Sequence, residues 1–198
     1  MRLAVLVSGR GSNLKAVLDA RARGEIQADI CTVVSNVADA PALAHAAAAG
    51  VPARVIAHRD FASREAFDEA LVAHLREMRA DVVLLAGFMR MLTSVFCSAF
   101  PKTINVHPSL LPAFPGAHAV RDALAYGAKV TGVTVHFVEL ALDAGPIIAQ
   151  EAVAIARDDD EAALHARLQL VEHRLVPQAV AAVCAGKARL EGRHVVIA

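Results

Sequence analysis

The chain has 198 residues, enough for one domain with a full core. Its 56% hydrophobic content against 20% charged residues excludes a disordered chain. The 20 basic and 20 acidic residues balance, which gives no basis for bulk attraction to nucleic acid or to an anionic membrane.

Residues 3–7 (LAVLV) form an apolar run of strand length. The run is too short for a signal-peptide core and ends in a glycine turn at 8–11. Ser12 or Asn13 then opens a helix to about residue 22. Residues 29–35 (DICTVVS) are rich in β-branched types and read as a second strand. An alanine-rich helix covers 41–49, with Pro41 in its first turn and Gly50 past its end. A short strand follows at 54–56. Ser63 caps a helix to about residue 79, with Phe67, Leu71, Leu75 and Met78 as its apolar stripe. Residues 81–86 (DVVLLA) are continuously apolar after the aspartate, as in a strand buried on both faces. Residues 103–106 are the next strand. Alternating strand and helix imply βαβ units and a mostly parallel, open twisted sheet with helices on both faces.

The second half differs. Residues 118–126 read as a helix. Residues 130–138 (VTGVTVHFV) and 147–155 alternate like strands, and the turn at 143–146 joins them, which predicts an antiparallel addition to the sheet. The acidic run at 158–160 precedes a helix over 161–185 and suits its positive end better than a metal. Pro177 should kink or break that helix. The tail at 189–197 suggests an edge strand. No linker or repeat divides the chain.

Three constellations carry chemistry. Asn105 and His107 lie two residues apart, so a strand turns both to one face. Pro108 and Pro112 end that strand and stiffen its exit, where open α/β sheets bind ligands. An amide can donate to a developing oxyanion, and an imidazole can move a proton or stabilise the same charge. Asp143 is the distant carboxylate that would orient such an imidazole and favour its charged form. Second, Ser8-Gly9-Arg10-Gly11-Ser12-Asn13 sits between a strand and a helix and suits a phosphate monoester. It fits neither the dinucleotide fingerprint nor the P-loop, and a plain glycine turn with a helix cap explains it equally well. Third, residues 84–92 end a strand in an apolar, methionine-rich loop that could line a pocket for a flat heterocycle, although ordinary core packing explains it too.

Other candidates fall away. Ser109 lacks the glycines of a nucleophile elbow, and no metal-ligand spacing occurs. The isolated His118 makes no site, and the role of His136 is undecided. Cys31, Cys97 and Cys184 are odd in number and far apart, as for free thiols in a reducing cytosol. No uncharged apolar stretch reaches membrane-spanning length. A cytoplasmic protein is expected, without membrane or nucleic-acid partner.

Four ordered motifs, SGRGSN at 8–13, VLLAGFMRML at 83–92, INVHPSLLPAFPG at 104–116 and GVTVHFV…LDAGPI at 132–147, resemble the phosphoribosylglycinamide formyltransferase family. The resemblance runs almost from end to end. It implies a single Rossmann-like formyltransferase domain over 1–198, with a phosphate-binding βαβ half at 1–100 and a catalytic and folate-binding half at 101–198. It also implies transfer of a formyl group from 10-formyltetrahydrofolate, a co-substrate, to the amine of glycinamide ribonucleotide, without a metal. By the resemblance Asn105, His107 and Asp143 are catalytic. Gly11, Ser12 and Asn13 hold the phosphate. Glu172, within the segment Gln169, Leu170, Val171, Glu172, contacts the ribose. Arg64, Met89, Arg90, Met91, Leu92, Asn105, Glu139, Leu140, Ala141, Leu142 and Asp143 form the folate side. Ala144 departs from the pattern, which often has a second glycine there. Monomer and homodimer both remain open.

Related chemistries differ in acceptor. Formyltetrahydrofolate hydrolase uses water and usually carries an amino-terminal regulatory domain, whereas here residue 3 already begins the first strand. Methionyl-tRNA formyltransferase needs a further tRNA-binding domain, for which 198 residues leave no room. A non-catalytic nucleotide-binding module would have no reason to bring Asn105, His107 and Asp143 together.

Overall fold

The computed structural model describes residues 1–198. The chain runs β1 (Arg2–Val7), α1 (Ser12–Ala22), β2 (Asp29–Ser35), α2 (Ala42–Ala48), β3 (Ala53–Val55), α3 (Arg64–Glu77), β4 (Val82–Leu85) and α4 (Ser94–Ala99). It continues with β5 (Thr103–His107), α5 (Ala119–Tyr126), β6 (Val130–Phe137), β7 (Ile147–Ala154), α6 (Glu161–Cys184), β8 (Ala188–Glu191) and β9 (His194–Ile197).

One seven-stranded sheet has the order β3-β2-β1-β4-β5-β6-β7. Pairings from β3 to β5 are parallel, and β6 and β7 are added antiparallel. This is the expected α/β architecture with its antiparallel addition. Both faces are covered, so β1 is apolar almost throughout rather than alternating. Leu3, Val5 and Val7 pack with the apolar faces of α1 and α6, while Ala4 and Leu6 join Phe67, Leu71, Leu75 and Phe96 on the opposite face.

The order places a topological switch between β1 and β4: from β1 the chain builds outward to β2 and β3, then returns to β4 on the other side. Loops leaving two such strands diverge and open a crevice at their carboxyl ends. The glycine loop after β1 and the 87–92 loop after β4 flank this crevice. They are joined where the Met89 N–H donates to Ser8 Oγ at 2.8 Å.

Two expectations need correction. Pro177 does not break α6, which runs through it as one helix. The proline lacks only one backbone donor, and burial of Leu164, Leu168, Leu175, Val176, Val180 and Val183 along α6 offsets that loss. The tail does not extend the main sheet. β8 and β9 pair with each other in a separate hairpin, turned at Gly192 with φ 61°. Between β4 and β5 the short α4 also forms and buries Phe96, with the Phe100 ring tilted against it at 5.6 Å one turn later.

Candidate active site

β5 ends the parallel part of the sheet and delivers Asn105 and His107. Ile104 and Val106 face the α1–α6 side of the core, so period two turns Asn105 and His107 the other way. The exit is braced from β6 and β7. Thr134 Oγ1 donates to the Ser109 carbonyl at 2.6 Å and accepts from the Leu111 N–H at 3.1 Å. Gln150 Nε2 donates to the Leu111 carbonyl and to Thr134 Oγ1, each at 2.9 Å. The Leu111–Pro112 bond is cis. Ser109 is buried and its hydroxyl donates to the Ala113 carbonyl, so it is committed to the loop and is no nucleophile.

Asp143 comes from the turn after β6. Its backbone has φ 50°, a left-handed conformation that aspartate tolerates better than most residues. The turn is tight enough that only glycine fits at 145, where a Cβ would lie 1.8 Å from the Phe137 carbonyl oxygen. Arg193 in the β8–β9 hairpin donates to the Ala144 carbonyl and ties the tail to this turn. Ala144, the departure from the family pattern, does not take a positive φ, so its backbone does not require glycine there.

The two segments meet. His107 Nδ1 lies 3.4 Å from Asp143 Oδ2, and both side chains are more than nine-tenths buried. Asp143 Oδ2 also accepts the Gly116 N–H at 2.8 Å. The other ring nitrogen, His107 Nε2, donates to the Phe114 carbonyl at 2.8 Å. Each nitrogen therefore faces an oxygen, Nε2 in a hydrogen bond to the Phe114 carbonyl and Nδ1 within ion-pair distance of Asp143. His136, whose role the sequence leaves undecided, completes the cluster. It lies on β6 directly opposite Asn105, with Nε2 at 3.3 Å from Asn105 Nδ2 and 3.8 Å from Asp143 Oδ1. The signal was the antiparallel register between β5 and β6, which no local pattern prints.

The glycine loop opens α1. Gly11 has φ 74°, and a Cβ there would lie 2.5 Å from Ala42 Cβ, so this position needs glycine for both reasons. The first helical backbone bond is from the Lys15 N–H to the Gly11 carbonyl. The N–H groups of Ser12, Asn13 and Leu14 precede it, as donors of a helix start suited to an anion. The Asn13 side chain is turned inward: Nδ2 donates to Glu172 Oε2 at 2.8 Å, and its Oδ1 is buried without a partner. Glu172 on α6 is thus brought to the glycine loop. Of its neighbours, Gln169 and Val171 are half-buried, while Leu170 is 72% exposed and lies around the helix from Glu172.

Among the residues expected on the folate side, Arg64 Nη2 donates to the Met91 carbonyl at 3.1 Å, which anchors the 89–92 loop to α3. Leu92 is buried, Arg90 is half-buried, and Met89 and Met91 are exposed. Glu139, Leu140, Ala141 and Leu142 are exposed. A cavity of about 600 Å³ lies against Glu139 and Leu140, walled by Cys97, Lys102, Val138 and Leu190, and none of Asn105, His107 or Asp143 lines it. No group of three or more His, Cys, Asp or Glu side chains is arranged to hold a metal ion.

The chain is similar to proteins of known family along most of its length. Residues 1–180 match the formyl transferase family. A trifunctional purine biosynthetic protein adenosine-3 from Drosophila melanogaster is 47% identical over 191 residues, 94% of this chain but only 14% of that protein. The chain thus spans a small part of that relative. A phosphoribosylglycinamide formyltransferase from Mycobacterium tuberculosis is 46% identical over 193 residues, 97% of this chain and 89% of that one. A crystal structure of glycinamide ribonucleotide transformylase 1 from Symbiobacterium toebii superimposes with a TM-score of 0.97 at 44% identity, covering 100% of this chain and 93% of that one. The chain belongs to the formyl transferase family, within its phosphoribosylglycinamide formyltransferase branch.

Proposed function

We infer that the chain transfers the formyl group of 10-formyltetrahydrofolate to the amine of 5'-phosphoribosylglycinamide. The products are formylglycinamide ribonucleotide and tetrahydrofolate, a step of de novo purine biosynthesis. One observation carries this reading: Asn105, His107 and Asp143 converge at the end of β5. A non-catalytic nucleotide-binding module has no use for that convergence.

The placement supports a division of labour. The helix-start N–H groups at Gly11, Ser12 and Asn13 bind the phosphate, and Glu172 beside Asn13 accepts from the ribose hydroxyls. Backbone groups of Arg90, Leu92 and the 139–143 segment read the pterin edge, with Arg64 holding the first loop in place. Residues 1–100 supply the phosphate loop and the 89–92 loop, and residues 101–198 supply the catalytic groups and the ribose acid.

The neutral amine attacks the formyl carbon, and the carbonyl electrons move onto oxygen. Asn105 Nδ2 and His107 donate to that oxyanion. The bond from the formyl carbon to the folate N10 then breaks, and N10 takes up the proton released by the amine, relayed by Asp143 through water. Holding amine and formyl carbon together supplies much of the rate. In this structure His107 Nε2 donates to the Phe114 carbonyl, so the oxyanion competes with that carbonyl for the same hydrogen.

The reaction needs only the two small molecules, as monomer or homodimer, and we place it in the cytoplasm without nucleic-acid or membrane partner. Balanced charge and three free cysteines support this. No helix is long and apolar enough to cross a membrane. The test is to incubate the protein with 10-formyltetrahydrofolate, with and without the ribonucleotide, and to follow folate release. Release that requires the ribonucleotide supports formyl transfer. Release without it makes the protein a hydrolase, and no release removes the enzyme reading.

A further inference from the structure

His136 has no part in the steps above, yet it touches two of the groups that do. It is 2% exposed and lies opposite Asn105 across the β5–β6 ladder. Its Nδ1 is 2.8 Å from the Phe137 carbonyl oxygen. A carbonyl only accepts, so Nδ1 carries a hydrogen. Burial pushes the imidazole pKa down, and the neighbouring His107 adds to this. The Phe137 carbonyl, Asp143 and Glu139 act the other way without reversing the shift. The ring is therefore neutral near pH 7, and Nε2 presents a lone pair.

That lone pair faces Asn105 Nδ2 at 3.3 Å. The two ends of an asparagine amide have nearly the same shape, so packing alone does not decide which end faces which way. His136 decides it chemically. With the amide reversed, Asn105 Oδ1 would meet the Nε2 lone pair, two acceptors without a hydrogen between them. Asp143 Oδ1, 3.8 Å from the same nitrogen, supplies no hydrogen when ionised.

We propose that His136 is a positioning residue for formyl transfer: its Nε2 takes one amide hydrogen of Asn105 and so leaves the other N–H for the formyl oxygen. The proposal rests on the formyl-transfer reading above. An oxyanion donor must be aimed before the charge develops, because an amide free to reverse would present an acceptor to an anion half the time. His136 removes that alternative by acting through Asn105.

The decisive experiment is a double-mutant cycle in kcat. His136→Phe keeps a buried ring but removes the acceptor, and kcat should fall about ten- to a hundredfold while KM for the ribonucleotide stays unchanged. In an Asn105→Ala background the same change should cost almost nothing more, because His136 acts through Asn105. Full additivity of the two losses would overturn the proposal. His136→Gln places an amide oxygen where Nε2 stands and should restore most of the turnover. A Gln variant as slow as the Phe variant would also overturn it. Nitrogen NMR of the wild-type protein gives a readout independent of turnover. It should show His136 protonated at Nδ1 and bare at Nε2 near pH 7, and the opposite tautomer would contradict the proposal even if His136→Phe fails to fold. A wild-type protein without transfer activity but with this tautomer would instead fault the formyl-transfer reading.

Discussion

The side-chain amide of Asn13 donates to Glu172 across 159 residues of sequence, at 2.8 Å, and so fastens the glycine loop after β1 to the middle of α6. Glu172 is 7% exposed and has no cationic partner within 4.0 Å, an arrangement that leaves its second oxygen for a ligand's hydroxyls. Glu172→Gln keeps the shape and an acceptor for Asn13 but removes the charge. Charge-assisted hydrogen bonds are worth roughly 1.5–3 kcal/mol, so KM for the ribonucleotide should rise about ten- to a hundredfold with kcat little changed. Steady-state kinetics check this, and an unchanged KM would remove Glu172 from the ribose site.

Gly145→Ala should damage both stability and turnover. The new Cβ would overlap the Phe137 carbonyl oxygen, a backbone atom that cannot rotate away. The turn must open, and Asp143 sits two residues earlier in it. Overpacking of this kind costs about 1–3 kcal/mol or more. Denaturant unfolding should show a lowered midpoint, with kcat reduced beyond what the folded fraction explains. A midpoint equal to wild type would mean that the turn is not held as described.

His74 makes stability fall in mild acid. Its Nδ1 accepts from Arg54 Nη1 at 3.1 Å, so Nε2 carries the hydrogen and donates to Thr32 Oγ1 at 3.2 Å. Burial, and then the Arg54 charge, hold its pKa below the ordinary value. Above about pH 6.5 the ring is neutral whether folded or unfolded, and it costs nothing. Below that pH the unfolded chain takes the proton first, and stability is lost until the pH passes the lower folded pKa. Tm of His74→Gln should therefore fall less steeply than wild type between about pH 6.5 and 5. His136 shifts in the same direction, so some slope should remain. An identical slope in wild type and variant would show that His74 titrates alike in both states.

Much of this site was legible because its signals are local. The apolar run into Asn105 and His107, with prolines after it, marks a strand end and its exit. Gly11 and Ser12 mark a tight turn into a helix. The chain order of strands and helices carries the parallel sheet. What stayed hidden depends on distant partners. Whether His136 faces the site follows from its register against Asn105, and the inward turn of the Asn13 amide follows from α6. The continuity of α6 through Pro177 depends on how much apolar surface the helix buries. The short α4 leaves only a faint local signal, Phe96 and Phe100 at i and i+4.

The account centres on His107 as a donor that stabilises the oxyanion in formyl transfer. Its most direct test is kcat of His107→Ala for formylation of the ribonucleotide amine, measured with both substrates saturating. The expected result is a loss of at least about a hundredfold, with binding of the ribonucleotide retained. Turnover near that of the wild-type protein would contradict the account and take His107 out of the mechanism.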